Sequence, residues 1–260
     1  MHFFVTYVTK KCMKLRIEVL ELLDRIAWLG GAMMRPTFPN LMGLGPGNRI
    51  RDRLSEKHLI ENSGPSQGDW VKQLTKKGAL VARGGRNPPD EWSSLWDGQW
   101  RMLMFDLPAE FSKERTALYR WLRKNCLGCL QRSVWICPHP LDQVRKRLKA
   151  KLPDAGSLFF FQGRPEGAGQ SADVEISAAA WDFDAINAAY QRHEKLILNY
   201  PGMGNETRWS QWKGDEFREW SVAMNCDPLL PKALNPVGYR GYRNWEMRER
   251  LISEIRNSKC

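Results

Sequence analysis

The chain has 260 residues and a mass of 30.1 kDa, with 42% hydrophobic residues, 12 tryptophans and a formal net charge of +11 from 40 Lys/Arg and 29 Asp/Glu. That apolar and aromatic content supports folded cores and excludes a disordered chain, while the length allows one large domain or two to three small ones. No apolar run approaches the roughly 18 residues of a membrane span. The short apolar patch of residues 1–14 precedes its lysines, the wrong order for a secretion signal, and 6 cysteines make no dense disulfide framework, so a reducing cytoplasm is the expected compartment.

Residues 1–90 hold 15 Lys/Arg against 8 Asp/Glu, residues 91–175 hold 13 against 10, and residues 176–260 hold 12 against 11. The excess sits in the first third, as expected when one module meets a polyanion. Leu15, Val19, Leu22, Leu23 and Ile26 paint one face of a helix. After the Gly43–Gly47 turn, Asn48 is a natural N-cap for a helix to about Lys57. Ile50 and Leu54 face inward on it, which leaves Asn48, Arg49, Arg51, Arg53 and Lys57 on the outer faces. Strands follow at Leu59–Glu61 and around Trp70–Leu74, with a turn from Asn62 to Asp69 between them. Helix, turn, helix and small hairpin spell a winged helix-turn-helix. A helix of about 10–12 Å diameter fits the major groove, and guanidiniums on it reach phosphates or guanine edges. The turn near Ser63 to Gln67 would serve as the wing. Arg49, Arg51 and Arg53 beside Asp52 and Glu56 are equally compatible with an ordinary solvated face, since arginines at i and i+2 do not share one side.

Gly84–Pro89 and Gly163–Ala172 read as a linker and a loop, dividing the chain into 1–90, 91–168 and 173–260. In the middle segment, Met102–Phe105 is a buried strand ending at Asp106 and Pro108, and Ser112–Asn125 a helix with Leu118, Tyr119 and Leu122 inward. Ser133–Cys137 is a strand, Leu141–Leu152 a basic amphipathic helix and Ser157–Gln162 a strand. That order fits a ferredoxin-like α+β sandwich. The last segment reads as mainly helical, with helices in Trp181–Asn199, Phe217–Met224 and Glu246–Ile255, and an extended Asp227-Pro228-Leu229-Leu230-Pro231 between them.

Four stretches carry a family resemblance: Leu74-Thr75-Lys76-Lys77-Gly78; Trp96-Asp97-Gly98-Gln99-Trp100-Arg101; Leu130 to Pro138; and Trp181-Asp182-Phe183 with Asp227–Pro231. In their order and spacing the chain resembles the PaaX family of bacterial transcriptional regulators, the phenylacetic acid catabolism repressors. The resemblance implies an α+β protein with an N-terminal winged helix, a central ferredoxin-like domain similar to the CRISPR adaptation nuclease, and a helical C-terminal domain. It also implies a homodimer on double-stranded DNA, released by an acyl-CoA-type effector, with no cofactor and no enzymatic activity. Two departures stand out: the glycine- and proline-rich Arg35–Gly47, and the aromatic Phe159-Phe160-Phe161.

Individual residues admit other chemistries. Asp106 could hold a divalent metal with its symmetry mate, making a metal-dependent nuclease the alternative function, or it could be an ordinary strand end. Cys126 and Cys129, with Cys137 and His139, could bind zinc or sense redox state, but the second spacing is too tight for a familiar zinc module, and structural cysteines fit better. Trp92, Trp96 and Trp100 suggest packing more than a ligand cage, and Arg145–Lys151 a solvated face or a secondary DNA contact. His58 and His193 read as lone histidines with no special role.

Overall fold

In the computed structural model residues 23–24, 27–28, 49–62, 72–82, 85–151, 157–164 and 170–257 are described. The first elements are helix Arg49–Glu56 (α1), strands Ile60–Asn62 (β1) and Lys72–Leu74 (β2), helix Lys76–Ala82 (α2) and the short Pro88–Trp92 (α3). Strand Trp100–Asp106 (β3), helix Ser112–Lys124 (α4), strands Gly128–Gln131 (β4) and Val134–Cys137 (β5), helix Asp142–Lys151 (α5) and strand Ser157–Gly163 (β6) follow. Helices Gln170–Ala180 (α6), Phe183–Leu198 (α7), Glu206–Cys226 (α8) and Gly241–Asn257 (α9) complete the run. No helix among the described residues is long and apolar enough to cross a membrane. Contacts gather the chain into two compact units, Pro88–Ala188 with Asn225–Arg240, and Met1–Asn87 with Ala189–Met224 and Gly241–Cys260.

Alternation builds the sheet of the first of these units. Along β3, Leu103 and Phe105 are buried while Met104 and Asp106 are exposed, as a strand with one covered face requires. The four strands are antiparallel in the order β4-β5-β3-β6. With α4 and α5 as crossovers this is the β-α-β-β-α-β arrangement of the ferredoxin-like sandwich. The sequence predicts three strands here, and the structure adds β4, whose pairing with β5 slips between Cys129 and Gln131. Leu118 and Leu122 of α4 and Leu148 of α5 join Leu103, Phe105 and Trp135 in one core, so both helices cover the same sheet face. On the other face, Gly128 meets Ala180 and Trp181. A Cβ on Gly128 would stand 2.7 Å from the Ala180 Cβ and 2.8 Å from the Trp181 ring, so only glycine admits this packing. Met104, Phe159 and Phe161, also on that face, stay exposed.

The aromatic stretches hold this unit together. Trp92 Nε1 donates to the Tyr239 hydroxyl at 3.0 Å, the hydroxyl donates to Asp227, and the other Asp227 oxygen accepts from the Leu229 amide at 2.7 Å. Phe183 meets the Tyr239 ring edge-on. The Asp227–Pro231 stretch is thereby fixed, with Leu229 at φ 53°.

In the other unit, Trp28, Ile197, Trp209, Trp212, Leu251, Ile252 and Ile255 form the core. Inside it lies a buried ion cluster. Lys213 donates to Asp24 and, at 2.5 Å, to Glu216; Arg248 donates to Glu216 and to Asp24, each at 2.7 Å. Trp28 and Trp220 flank the cations, with the Arg248 guanidinium 4.6 Å from the Trp220 ring centroid. His193 is part of this cluster, which corrects its reading as a lone histidine. Its Nε2 lies 3.0 Å from Glu216, and its Nδ1 lies 2.7 Å from the side-chain oxygen of Asn244. The Asn244 amide is oriented by donating to the Tyr190 carbonyl at 2.9 Å. Burial pushes the Glu216 carboxyl up, yet Arg248 and Lys213 beside it hold it well below the usual carboxylate range. Burial works against the Arg248 charge, but Asp24 and Glu216 outweigh it and raise Arg248 above its ordinary value.

Candidate nucleic-acid interface

The arginine-bearing segment is organised by how α1 ends. Leu54 is buried, whereas Asp52, Arg53 and Glu56 are exposed, giving one inward position among solvated ones. The His58 amide donates to the Ser55 carbonyl at 2.9 Å, and the Leu59 amide to the Leu54 carbonyl at 2.9 Å. These paired bonds, with His58 at φ 52°, make a Schellman stop, and Leu54 and Leu59, which occupy the positions that commonly form its apolar contact, are both buried. Histidine is among the few side chains enriched in that left-handed region.

The chain then enters the antiparallel pair β1–β2, with Ile60 opposite Leu74 and Asn62 opposite Lys72. Thr75 fastens its base. The Thr75 hydroxyl donates to the His58 carbonyl at 2.7 Å and accepts from the Gly78 amide at 2.9 Å, so it is also the N-cap of α2. Lys77 Nζ donates to the Lys57 carbonyl at 2.9 Å. A Cβ on Gly78 would come within 1.9 Å of the Leu59 carbonyl oxygen, so glycine is what lets α2 lie against the hairpin. Sequence reading placed Leu74–Gly78 at the close of the hairpin but missed α2; the cap pattern of Thr75 ahead of Gly78 was the available signal.

The predicted site residues divide as follows. Arg49 and Arg51 lie in α1 by their backbone, with side chains outside the described atoms; Arg53 is exposed on α1, and Lys57 follows it half-buried. Asn48, Ser63 and Gln67 lie outside the described residues. Asp106 is exposed at the end of β3, opposite Ser157. Among the described residues no group of three or more His, Cys, Asp or Glu is placed to hold a metal ion. Cys137 is in the sheet core, while Cys126 and Cys129 are half-buried, and burial pushes the Cys129 thiol up.

The Trp96–Arg101 stretch proves to be a self-fastened turn. Arg101 forks onto both Asp97 oxygens, at 2.7 and 2.5 Å, and donates to the Gln99 and Pro138 carbonyls, each at 2.9 Å. The Gln99 amide donates to Asp97 at 3.0 Å, and Gly98 takes φ 73°. The Arg101 bond holds the Asp97 carboxyl below its ordinary value. Trp100 is buried and donates to Asp173 at 3.0 Å, and Asp173 also accepts from Arg164 at 2.8 Å. Neither Asp173 nor Tyr239 stood out in the sequence, because both partners are distant along the chain.

No curated protein matches this chain. Among solved structures it is similar to an uncharacterized protein from Mycobacterium tuberculosis, at 18% identity and a TM-score of 0.51, over 91% of this chain and 98% of the other. That likeness is one of fold. Residues 93–175 match the family described as the PaaX protein central Cas2-like domain, and they span β3 through β6 with the Trp96–Arg101 turn ahead of them. Over this central segment, then, the chain is similar to the PaaX family.

Proposed function

We propose that the chain is a sequence-specific, double-stranded-DNA-binding transcriptional regulator, a homodimeric repressor whose grip on DNA is released by an acyl-CoA-type ligand. The observation that carries the proposal is the PaaX central domain preceded by an arginine-bearing helix, a hairpin and a second helix. In this reading residues 1–90 form a winged helix, and α1 enters the major groove. Arg49, Arg51 and Arg53 meet base edges and phosphates there, flanked by Asn48 and Lys57. The hairpin tip, with Ser63 and Gln67, lies along the neighbouring backbone. The exposed Met104, Phe159 and Phe161 support a second copy on the open face of the sheet, since such an apolar patch on a regulator domain calls for a partner. A ligand acts only by favouring one protomer arrangement over the other.

The test is operator binding. Replacing Arg49→Ala and Arg51→Ala together removes two groove-facing guanidiniums, each worth about 1–3 kcal/mol of discrimination when bidentate to guanine. Specific affinity then falls toward the level for unrelated duplex. Unaltered discrimination between operator and unrelated DNA refutes α1 as the reading helix.

A further inference from the structure

The near-balanced charge of the central segment conceals a separation. Helices α4 and α5 carry ten Lys/Arg against two Asp/Glu. The rest of residues 91–175 holds three against eight. Because both helices pack on one face of the sheet, their positive charge is gathered on a single side of the domain.

We propose that the outer faces of α4 and α5 are a second contact for the phosphate backbone of duplex DNA. The proposal rests on the reading of the chain as a DNA-binding protein and adds a surface that α1 does not supply. Four observations carry it. First, Lys113, Arg120 and Lys124 recur at i, i+7 and i+11, one exposed stripe of α4, and Arg145 and Lys146 are exposed on α5. The α4 stripe is about 16 Å long, a length over which one strand of B-DNA presents about five phosphates.

Second, among the described residues none of these five cations is ion-paired to a carboxylate, whereas Arg101, Arg164, Arg192, Arg218 and Arg243 all are. On α4, Arg115 donates to the Leu107 and Pro108 carbonyls and is only half exposed, whereas exposed Arg120 makes one long bond, 3.4 Å from its Nε to the Thr116 carbonyl of the same helix. Third, two guanidiniums lean on aromatic faces, Arg145 at 4.8 Å from the Phe160 centroid and Arg123 at 5.9 Å from that of Trp135. That contact fixes each guanidinium while leaving N–H edges for an anion. Fourth, no large apolar side chain of either helix is exposed: Leu118, Leu122 and Leu148 all point into the core. An anionic membrane would need an apolar face to bury, so a hydrophilic polyanion fits and a bilayer does not.

The experiment measures binding of the full chain to a mixed-sequence duplex of about 30 base pairs by fluorescence anisotropy, between about 50 and 200 mM salt. The variant Lys113→Gln/Arg120→Gln/Lys124→Gln is expected to bind about tenfold or more weakly at low salt. Its slope of log K against log salt should be shallower by about 2–3, at roughly 0.9 per lost phosphate contact. A control, Lys195→Gln/Arg208→Gln/Arg250→Gln, removes as many exposed charges elsewhere and should leave the slope nearly unchanged. Equal losses in the two variants would reduce the effect to net charge and overturn the proposal, as would an unchanged slope in the α4 variant or absence of duplex binding by the native chain. Binding of phosphatidylserine vesicles that needs the same three residues, without duplex binding, also overturns it. A shallower slope in the α4 variant, together with intact operator discrimination in Arg49→Ala/Arg51→Ala, would sink the α1 reading and leave this surface standing.

Discussion

The buried ion cluster makes the sharpest stability prediction. Glu216 accepts from Lys213 and Arg248 and lies at hydrogen-bond distance from His193, with its own side chain and those of Lys213 and His193 wholly buried. Glu216→Gln keeps the volume and removes the charge. Asp24 then remains as the single carboxylate facing Lys213 and Arg248 in the cluster. Removing one partner of a buried pair typically costs about 3–5 kcal/mol, because the other charge is left uncompensated. In equilibrium urea unfolding, with a slope of about 2 kcal/mol/M, the midpoint should fall by about 2 M. Removing a cation as well relieves part of that strain, so Lys213→Met/Glu216→Gln should lose less than the sum of the single variants. Acid titration gives a second readout. Glu216 is held low in the fold and returns to about 4.3 when unfolded, so its contribution is fully present above that pH. It is lost as pH falls below it, because the unfolded chain takes up the proton first. The acid limb of stability should therefore be shallower in Glu216→Gln. A loss under about 1 kcal/mol, or strict additivity in the double variant, would refute the view that these charges compensate one another.

Three further outcomes follow from other parts of the molecule. Gly78→Ala gains about 1 kcal/mol of helix propensity but drives a Cβ to 1.9 Å from the Leu59 carbonyl oxygen, so a net loss of about 1–2 kcal/mol is expected in thermal unfolding. A melting temperature equal to or above that of the native chain would show that α2 and the hairpin are not locked at that point. Light scattering of the native chain should give the mass of two copies, and Phe159→Ser/Phe161→Ser that of one; an unchanged mass removes the open sheet face as the dimer surface. Duplex DNA incubated with magnesium or manganese should stay intact, and cutting that Asp106→Asn abolishes would replace the regulator reading with a nuclease.

What the sequence revealed, and what it hid, follows from where the partners of each residue lie. Strand β3 was legible because Met102-Leu103-Met104-Phe105 is an unbroken apolar run closed by Asp106 and Pro108, a signal written locally, whereas the burial of Leu103 and Phe105 against exposed Met104 emerges only in the fold. Strand β4 was not, since Gly128-Cys129-Leu130-Gln131 has no alternation and pairs through a bulge; β5 and α6 hold it in place, not its own propensity. The first half of α8 was missed for a different reason. Its inward stripe runs through Trp209, Trp212, Lys213, Glu216, Phe217 and Trp220, so two charges interrupt what a reader counts as apolar. Asn244 and Arg248 interrupt α9 in the same way. Such positions become interpretable only with their counter-charges, and Asp24 is 189 residues from Lys213.

The candidate interfaces divide along the same line. The alternation of Arg49, Arg51 and Arg53 around Leu54 can be read within one helix, and so can the basic run of α5. In α4, by contrast, Lys113, Arg120 and Lys124 are separated by Glu114, Leu118 and Trp121, and segment totals show only a mild excess. It takes the β-α-β-β-α-β topology, which sends both crossover helices to one face, to turn two scattered sets of cations into one surface. Charge position therefore carries more functional information here than net charge does, and the salt slope, which counts phosphate contacts and not total charge, is the measurement that separates the two.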